Sequence, residues 1–196
     1  MLIIGLTGGI GMGKTTTAGM FHETGMAVHD ADATVHALYR GPAAPAVEAA
    51  FPGTTGPDGV DREKLAAAVV GQPDKLRQLE SIIHPMVRAE ELAVRDRAAK
   101  AGARALILDI PLLFETGAEA RCDLIVVVTA DAGIQRERVL ARPGMTAEKL
   151  DALMNRQWSD RDRRMRAHFL VDTTHGYDSA RRQVRDIVRA ITMVNG

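Results

Sequence analysis

Leu2-Ile3-Ile4-Gly5-Leu6-Thr7 runs without a gap into Gly8-Gly9-Ile10-Gly11-Met12-Gly13-Lys14-Thr15. The second stretch has the spacing G-x-x-x-x-G-K-[ST], which is the P-loop motif. Its glycines let the backbone curl so that successive N–H groups point into one concavity that a polyanion fills. The apolar run before it predicts a buried strand, and Thr16 to His22 predicts a helix whose positive end adds to the anion site. We therefore expect this stretch to bind a nucleoside triphosphate.

Each residue type in this loop has a chemical use. Lys14 supplies a cation for the outer phosphates, and the Thr15 hydroxyl is a ligand for Mg²⁺ beside them. The residues predicted to bind ATP here are Gly9, Gly11, Met12, Gly13, Lys14, Thr15 and Thr16.

Composition limits the remaining possibilities. With 196 residues, 46% of them hydrophobic, the chain can bury the core of one domain with insertions. Lys plus Arg and Asp plus Glu are both 25, so no bulk positive field favours nucleic acid or a membrane surface. Cys122 is the single cysteine, which excludes an intrachain disulfide. We expect a soluble cytoplasmic protein without a cleaved leader, and a monomer.

Acidic residues follow two of the predicted strands. Asp30-Ala31-Asp32 comes after the short strand Met26 to His29, and Asp109 ends the strand Ala105 to Asp109. Ligands of open α/β sheets sit beyond the carboxyl ends of the strands, so these acids should face the phosphate site. Two carboxylates at one strand end can remove a proton from an attacking hydroxyl or help to bind Mg²⁺. Asp32 is the better candidate for this chemistry. Asp30 has either that role or the structural role of capping the next helix. Asp109 is either an acid that holds Mg²⁺ through water or an ordinary turn residue. Glu115 is either a further acid of this site or a residue that faces solvent on a following helix.

A long helical insertion separates the second and third strands. It begins with a Pro- and Gly-rich excursion, residues 41–59, and continues as helices. The sequence His84-Pro85 predicts that one helix ends near Ile83 and another begins at Pro85 and reaches Lys100. His84 is then either a plain cap or a contact to the phosphate acceptor.

A charged helical hairpin follows the β-branched run Asp123 to Thr129. The second helix of this hairpin is predicted over Thr146 to Trp158. Arg138 and Arg142 lie before it, in the first half of the hairpin. Such a hairpin in P-loop kinases closes over the triphosphate with guanidinium groups on phosphate oxygens, although a solvated helix pair is the plain alternative. The run Arg161 to Arg166 is interleaved with Asp, which favours a solvated face over a nucleic-acid site.

These elements predict a three-layer α/β P-loop fold with a five-stranded parallel sheet, its last strand at Phe169 to Asp172. The predicted nucleotide-binding core is residues 1–33, 103–137 and 168–196. Residues 34–102 form the acceptor-binding insertion, and residues 138–167 form the lid.

The motifs together resemble the dephospho-coenzyme A kinase family. The resemblance rests on L-T-G-G-I-G-x-G-K-T at Leu6 to Thr15, D-A-D at Asp30 to Asp32, H-P at His84-Pro85, P-L-L-F-E at Pro111 to Glu115, and V-D-x-x-x-G at Val171 to Gly176. It implies transfer of the ATP γ-phosphoryl group to the ribose 3′-hydroxyl of dephospho-coenzyme A, with Mg²⁺.

The resemblance also implies roles for single residues. Asp32 would be the base, with Lys14 and Arg142 as the other catalytic residues, and Arg138 and Arg142 would bind ATP from the lid. His84, Arg88 and Leu112 would bind the acceptor together with Asp32. Two departures stand out: Met12 replaces the usual Ser, and Thr173-Thr174 replaces the usual Asn-Ser, which puts in doubt an adenine contact near Asp172.

Other classes of P-loop protein fit less well. The chain has no N-K-x-D or T-K-x-D segment typical of GTPases and no L-S-G-G-Q segment typical of transport ATPases. Another small-molecule kinase, for a nucleoside, nucleotide or sugar acid, stays the alternative, and a nonenzymatic ATP-binding regulator is a further one.

Overall fold

The computed structural model describes residues 1–194. Its strands are β1 Leu2–Gly8, β2 Ala27–Asp30, β3 Thr55–Gly56, β4 Gly59–Val60, β5 Ala105–Asp109, β6 Leu124–Thr129 and β7 Phe169–Asp172. Its α-helices are α1 Lys14–Glu23, α2 Ala31–Tyr39, α3 Ala44–Ala50, α4 Arg62–Val69, α5 Pro73–Lys100, α6 Ala132–Leu140, α7 Ala147–Met154, α8 Asp160–Met165 and α9 Tyr177–Val194. The chain divides into two compact units, one of Met1–His29 with the chain from Ala98 onward, the other of Asp30–Arg97.

The first unit is built on a five-stranded sheet in the order β2-β5-β1-β6-β7. β1 pairs in parallel with β5 and with β6, and β6 pairs in parallel with β7. The register sets Leu6 beside Asp109 and Thr129 beside Asp172. The carboxyl ends of these strands therefore meet at one edge of the sheet, which is where the phosphate motif follows β1. The predicted α/β fold and its five strands are confirmed.

The core of this unit explains why these stretches form interior strands. β1, β5 and β6 are buried almost throughout, as expected for parallel strands covered on both faces. Ile4, Leu6, Val126 and Val128 pack in one cluster with residues of α1 and α9, among them Phe21. The sheet thus gives the strand ends a rigid base.

The second unit is helical and has its own apolar cluster. Leu38, Val47, Phe51, Leu65 and Ile83 are buried in it, and α2, α3, α4 and α5 contribute to it. The Asp61 side chain caps α4 by accepting hydrogen bonds from the N–H groups of Glu63 and Lys64 at 3.2 and 3.1 Å, as its position predicts.

Two predicted helix boundaries are wrong, and one hairpin was not predicted. α5 is one helix of 28 residues that continues through Pro85, so His84 lies inside a helix rather than at a helix start. Proline costs one backbone hydrogen bond, and the apolar residues on both sides of it, Ile83 and Val87 among them, offset that loss by packing in one cluster. α7 ends at Met154 rather than at the predicted Trp158. The Pro- and Gly-rich excursion ends in an antiparallel β3–β4 hairpin. Within residues 1–194 we find no helix with the length and hydropathy that a bilayer crossing requires.

Candidate active site

The phosphate loop, defined here as Gly8–Thr15, connects the end of β1 to the first turn of α1. Gly11 and Gly13 have φ values of 76° and 92°, in the left-handed region that favours glycine. A Cβ atom on Gly11 would also lie 2.5 Å from Val139 Cγ2, which real structures do not tolerate. The loop therefore depends on glycine for both backbone conformation and space.

The first turn of α1 offers the groups that an anion site needs. The N-cap residue Gly13 has no side chain to satisfy the N–H groups of that turn, and Thr15 and Thr16 are exposed on it. Lys14 Nζ pairs with Asp109 Oδ1, and these side chains are only 14% and 3% exposed. The acid at the tip of β5 thus fixes the lysine at the base of the loop.

A cavity of about 310 Å³ adjoins the phosphate loop. Residues of the loop, of the predicted lid and of α9 meet in its wall. Its lining residues are Gly11, Gly13, Thr16, Thr17, Met20, Arg138, Arg142, Thr173, Gly176, Tyr177 and Ala180. The predicted ATP ligands Arg138 and Arg142 therefore share one concave surface with the loop glycines, and all of these residues belong to the first unit.

Thr173, one of the departures from the family pattern, connects loop and lid. Its buried hydroxyl donates a hydrogen bond to the Met12 carbonyl at 2.8 Å and accepts one from Arg138 Nη1 at 2.8 Å. Arg138 Nη2 donates to the Thr173 carbonyl at 2.9 Å. At Asp172, partial burial alone would raise the pKa, but hydrogen bonds from Thr174 and the nearby His175 and Arg164 lower the carboxyl pKa below its usual value.

Four of the remaining predicted residues lie in the second unit. Asp30 caps α2, because its Oδ1 accepts a hydrogen bond from the Ala33 N–H at 2.9 Å, and Asp32 is exposed on the first turn of that helix. His84 is exposed within α5, and Arg88 pairs with the buried Glu91 on the same helix. These observations support the cap at Asp30 and leave the catalytic and acceptor roles as predictions.

Leu112 belongs to the first unit. It lies in the turn after β5 and is 41% exposed. An apolar side chain of this size at the surface is available to a ligand, and its acceptor role stays a prediction.

Two residues differ from the sequence interpretation. Residues 111–117 form turns rather than a helix, and Glu115 is half-buried and accepts a hydrogen bond from the Trp158 N–H at 2.8 Å. Arg163 is 4% exposed, whereas its neighbours Arg161 and Arg164 are exposed as a solvated face predicts. The charge pattern gave no sign of this exception, since Gly9 and Glu115, which lie near the guanidinium, are distant in sequence.

Comparison with known proteins agrees with this geometry. A family model described as dephospho-CoA kinase matches residues 2–178. A dephospho-CoA kinase of Brucella melitensis is 55% identical over 98% of this chain and 96% of its own length, and one of Rhodopseudomonas palustris is 54% identical over 97% and 96%.

Solved structures extend the comparison to the fold. A crystal structure of a Thermus thermophilus protein superposes with a TM-score of 0.84 at 32% identity, covering 96% of both chains. A dephospho-CoA kinase from Campylobacter jejuni, 22% identical over 99% of this chain and 98% of its own, shares the fold with a TM-score of 0.75. The phosphate loop, the strand order and the whole-length matches lead to one conclusion: this chain belongs to the dephospho-CoA kinase family.

Proposed function

We propose that this chain transfers the γ-phosphoryl group of ATP to the ribose 3′-hydroxyl of dephospho-coenzyme A, giving coenzyme A and ADP, the last step of coenzyme A biosynthesis. The observation that carries the proposal is the identity of about 55% with relatives of that name across nearly the whole of both chains. A phosphate loop with the required glycine conformations and a paired lysine supports it.

ATP would bind along the phosphate loop and into the adjoining cavity. The N–H groups of the loop and of the uncapped first turn of α1 would donate hydrogen bonds to the phosphates, and Lys14 would neutralise charge on them. Arg138 and Arg142, which line the cavity, would bind phosphate oxygens from the lid. Because Arg138 already makes two hydrogen bonds to Thr173, it is oriented before the nucleotide arrives.

The residues present also suit Mg²⁺. In the described part of the chain no cluster of three or more His, Cys, Asp and Glu could hold a metal alone, and Mg²⁺ in kinases is held by few protein groups together with substrate phosphates. The exposed Thr15 hydroxyl would be its protein ligand, and Asp109 would hold it through water. The ion would supply charge neutralisation at the β- and γ-phosphates.

Proton removal would fall to Asp32. Its exposed carboxylate lies on the first turn of α2, two residues after the cap residue Asp30, so the start of that helix is fixed while Asp32 stays available. In phosphoryl transfer the protein contributes positioning and charge stabilisation, and a carboxylate accepts the hydroxyl proton.

The acceptor would bind to the helical second unit. His84 and Arg88, one turn apart on α5, carry the hydrogen-bond donors to contact its phosphates. Glu91 orients Arg88 by pairing with its guanidinium.

An acceptor panel tests the proposal. The purified protein is given ATP, Mg²⁺ and, in separate reactions, dephospho-coenzyme A, shikimate, gluconate and adenosine, and ADP release is followed. We expect the highest kcat/KM for dephospho-coenzyme A by at least about a hundredfold, since a site built for one acceptor's polar groups rejects others. A higher value for another acceptor would select the alternative small-molecule kinase, and ATP binding without any turnover would select a regulator.

A further inference from the structure

The segment Gln157–Arg163, in the C-terminal half of the predicted lid, contacts the phosphate loop; we refer to it as the brace. Gln157 Oε1 accepts a hydrogen bond from the Ile10 N–H at 3.2 Å. From α6, Gln135 Nε2 donates to the Ile10 carbonyl at 2.7 Å. Two side-chain amides thus hold both backbone groups of a single loop residue.

The brace is itself fixed to two strand ends. Glu115, after β5, accepts a hydrogen bond from the Trp158 N–H, and Thr129, at the end of β6, donates its hydroxyl to Asp160 Oδ2 at 2.8 Å. Arg163 Nη2 donates to the Trp158 carbonyl. Because Trp158 is held at both its N–H and its C=O, the preceding Gln157 is held toward Ile10.

Burying the Arg163 guanidinium at this position is energetically unfavourable. Burial lowers the pKa of its guanidinium, although Glu115 and Asp160 oppose that shift. Within the described part of the chain, its Nε and Nη1 atoms and the buried Glu115 Oε2 and Asp160 Oδ1 atoms have no hydrogen-bond partner. Incompletely paired buried charges contribute little to stability, so stability does not explain why they lie beside the phosphate loop. A role in the function of the loop would explain it.

The position of Gly9 indicates which part of the phosphate loop Arg163 contacts. Gly9 is absent from the glycines with positive φ, so its backbone conformation is open to any residue. A Cβ atom there would lie 2.6 Å from Arg163 Nη1. A side chain at this position would therefore require the buried guanidinium to shift, whereas Gly11 and Gly13 also have positive φ values that favour glycine.

We infer that Arg163 is a positioning residue for the phosphate loop. Its guanidinium lies against Gly9 and holds Trp158, so that Gln157 and Gln135 keep Ile10 in the conformation in which the loop amides face the triphosphate. The inference rests on the proposed use of ATP.

A double-mutant cycle between Gly9→Ala and Arg163→Met tests the inference. Met keeps the apolar stem and removes the guanidinium. We expect each single variant to raise KM for ATP about tenfold or more with kcat at saturating ATP within about threefold of wild type. In the Arg163→Met background, Gly9→Ala should cost less than about twofold, because the space is then free.

Two further variants serve as controls. Arg161→Met removes the same charge from the exposed face of α8 and should leave KM for ATP unchanged. Arg163→Lys keeps the charge but cannot contact Gly9 and Trp158 together, so it should recover little of the lost affinity. If Arg163→Met yields no folded protein, the cycle is run with Arg163→Lys, in which Gly9→Ala should again cost less than in wild type.

Titration calorimetry with the nonhydrolysable analogue AMP-PNP separates failure of the inference from failure of the proposed function. If wild type binds the analogue and the two substitutions are additive, or if kcat falls while KM for ATP is unchanged, Arg163 does not position the loop. If wild type does not bind the analogue, the proposed function itself fails.

Discussion

Thr173→Val removes a hydroxyl while keeping the shape of the side chain, and it addresses the contact between the phosphate loop and Arg138. The lost hydrogen bond to the Met12 carbonyl contributes about 1 kcal/mol, and the one from the charged Arg138 contributes about 2 kcal/mol. Thr173 is only 8% exposed, which limits the access of water to the groups left without the hydroxyl. We expect the free energy of unfolding to fall by about 3 kcal/mol, which in a chain of this size lowers Tm by roughly 6 to 12 °C.

Thr173→Ser is the matched control. It keeps the hydroxyl and removes only the methyl group that lies near Gly13, at a cost of about 1 kcal/mol. Thermal unfolding followed by circular dichroism, with a urea titration of the same samples, gives both stabilities. If the Val variant is as stable as wild type, or if Ser is the more damaging change, the hydroxyl does not link loop and lid and the reasoning is refuted.

The remaining predictions concern the chemistry, the lid and the acid limit of stability. Asp32→Asn should reduce kcat by about a hundredfold or more with ATP affinity nearly unchanged, whereas Asp30→Asn, which still caps α2, should keep most activity; equal losses in kcat would remove Asp32 from the base role. Lys14→Ala should lower kcat/KM about a hundredfold or more, so normal catalytic efficiency would contradict its phosphate contact. AMP-PNP should slow hydrogen exchange of the amides in residues 139–156 in mass-spectrometric peptides; unchanged exchange would indicate a rigid hairpin. Hydrogen bonds from Gly53 and Thr55 lower the pKa of Glu48, so its stabilising effect is complete above the unfolded-state value near 4.5 and is lost as pH falls through the folded value. Glu48→Gln should therefore lower the urea midpoint most at pH 7 and by a smaller amount at pH 3, and an equal loss at both pH values would contradict the ionised contact.

The features that could be predicted from sequence are local ones. The strand ending at Thr7, the glycines of the loop and Lys14 are adjacent in the chain, and adjacency is what the motif encodes. The five strands follow from short apolar runs, and Ser159, which caps α8, stands three residues before Asp162 as in a capping box. Each of these depends on neighbours within a few residues.

The features that could not be predicted depend on distant partners. The sequence predicts that Arg163 is exposed like the other charged residues around it, and only folding brings it close to Gly9. Glu115 and Trp158 are 43 residues apart and meet for the same reason. At Pro85 the local preference for a helix boundary was overridden by apolar packing on both sides, and the β3–β4 strands of two residues each are too short for alternation to mark them.

The central claim is that this chain phosphorylates the ribose 3′-hydroxyl of dephospho-coenzyme A. The most direct test is ³¹P NMR of a reaction containing the purified protein, ATP, Mg²⁺ and dephospho-coenzyme A. The account predicts a new phosphomonoester resonance coupled to the ribose H3′ proton, growing in a one-to-one ratio with ADP. Inorganic phosphate growing with ADP instead, or a phosphomonoester at another position, would contradict it.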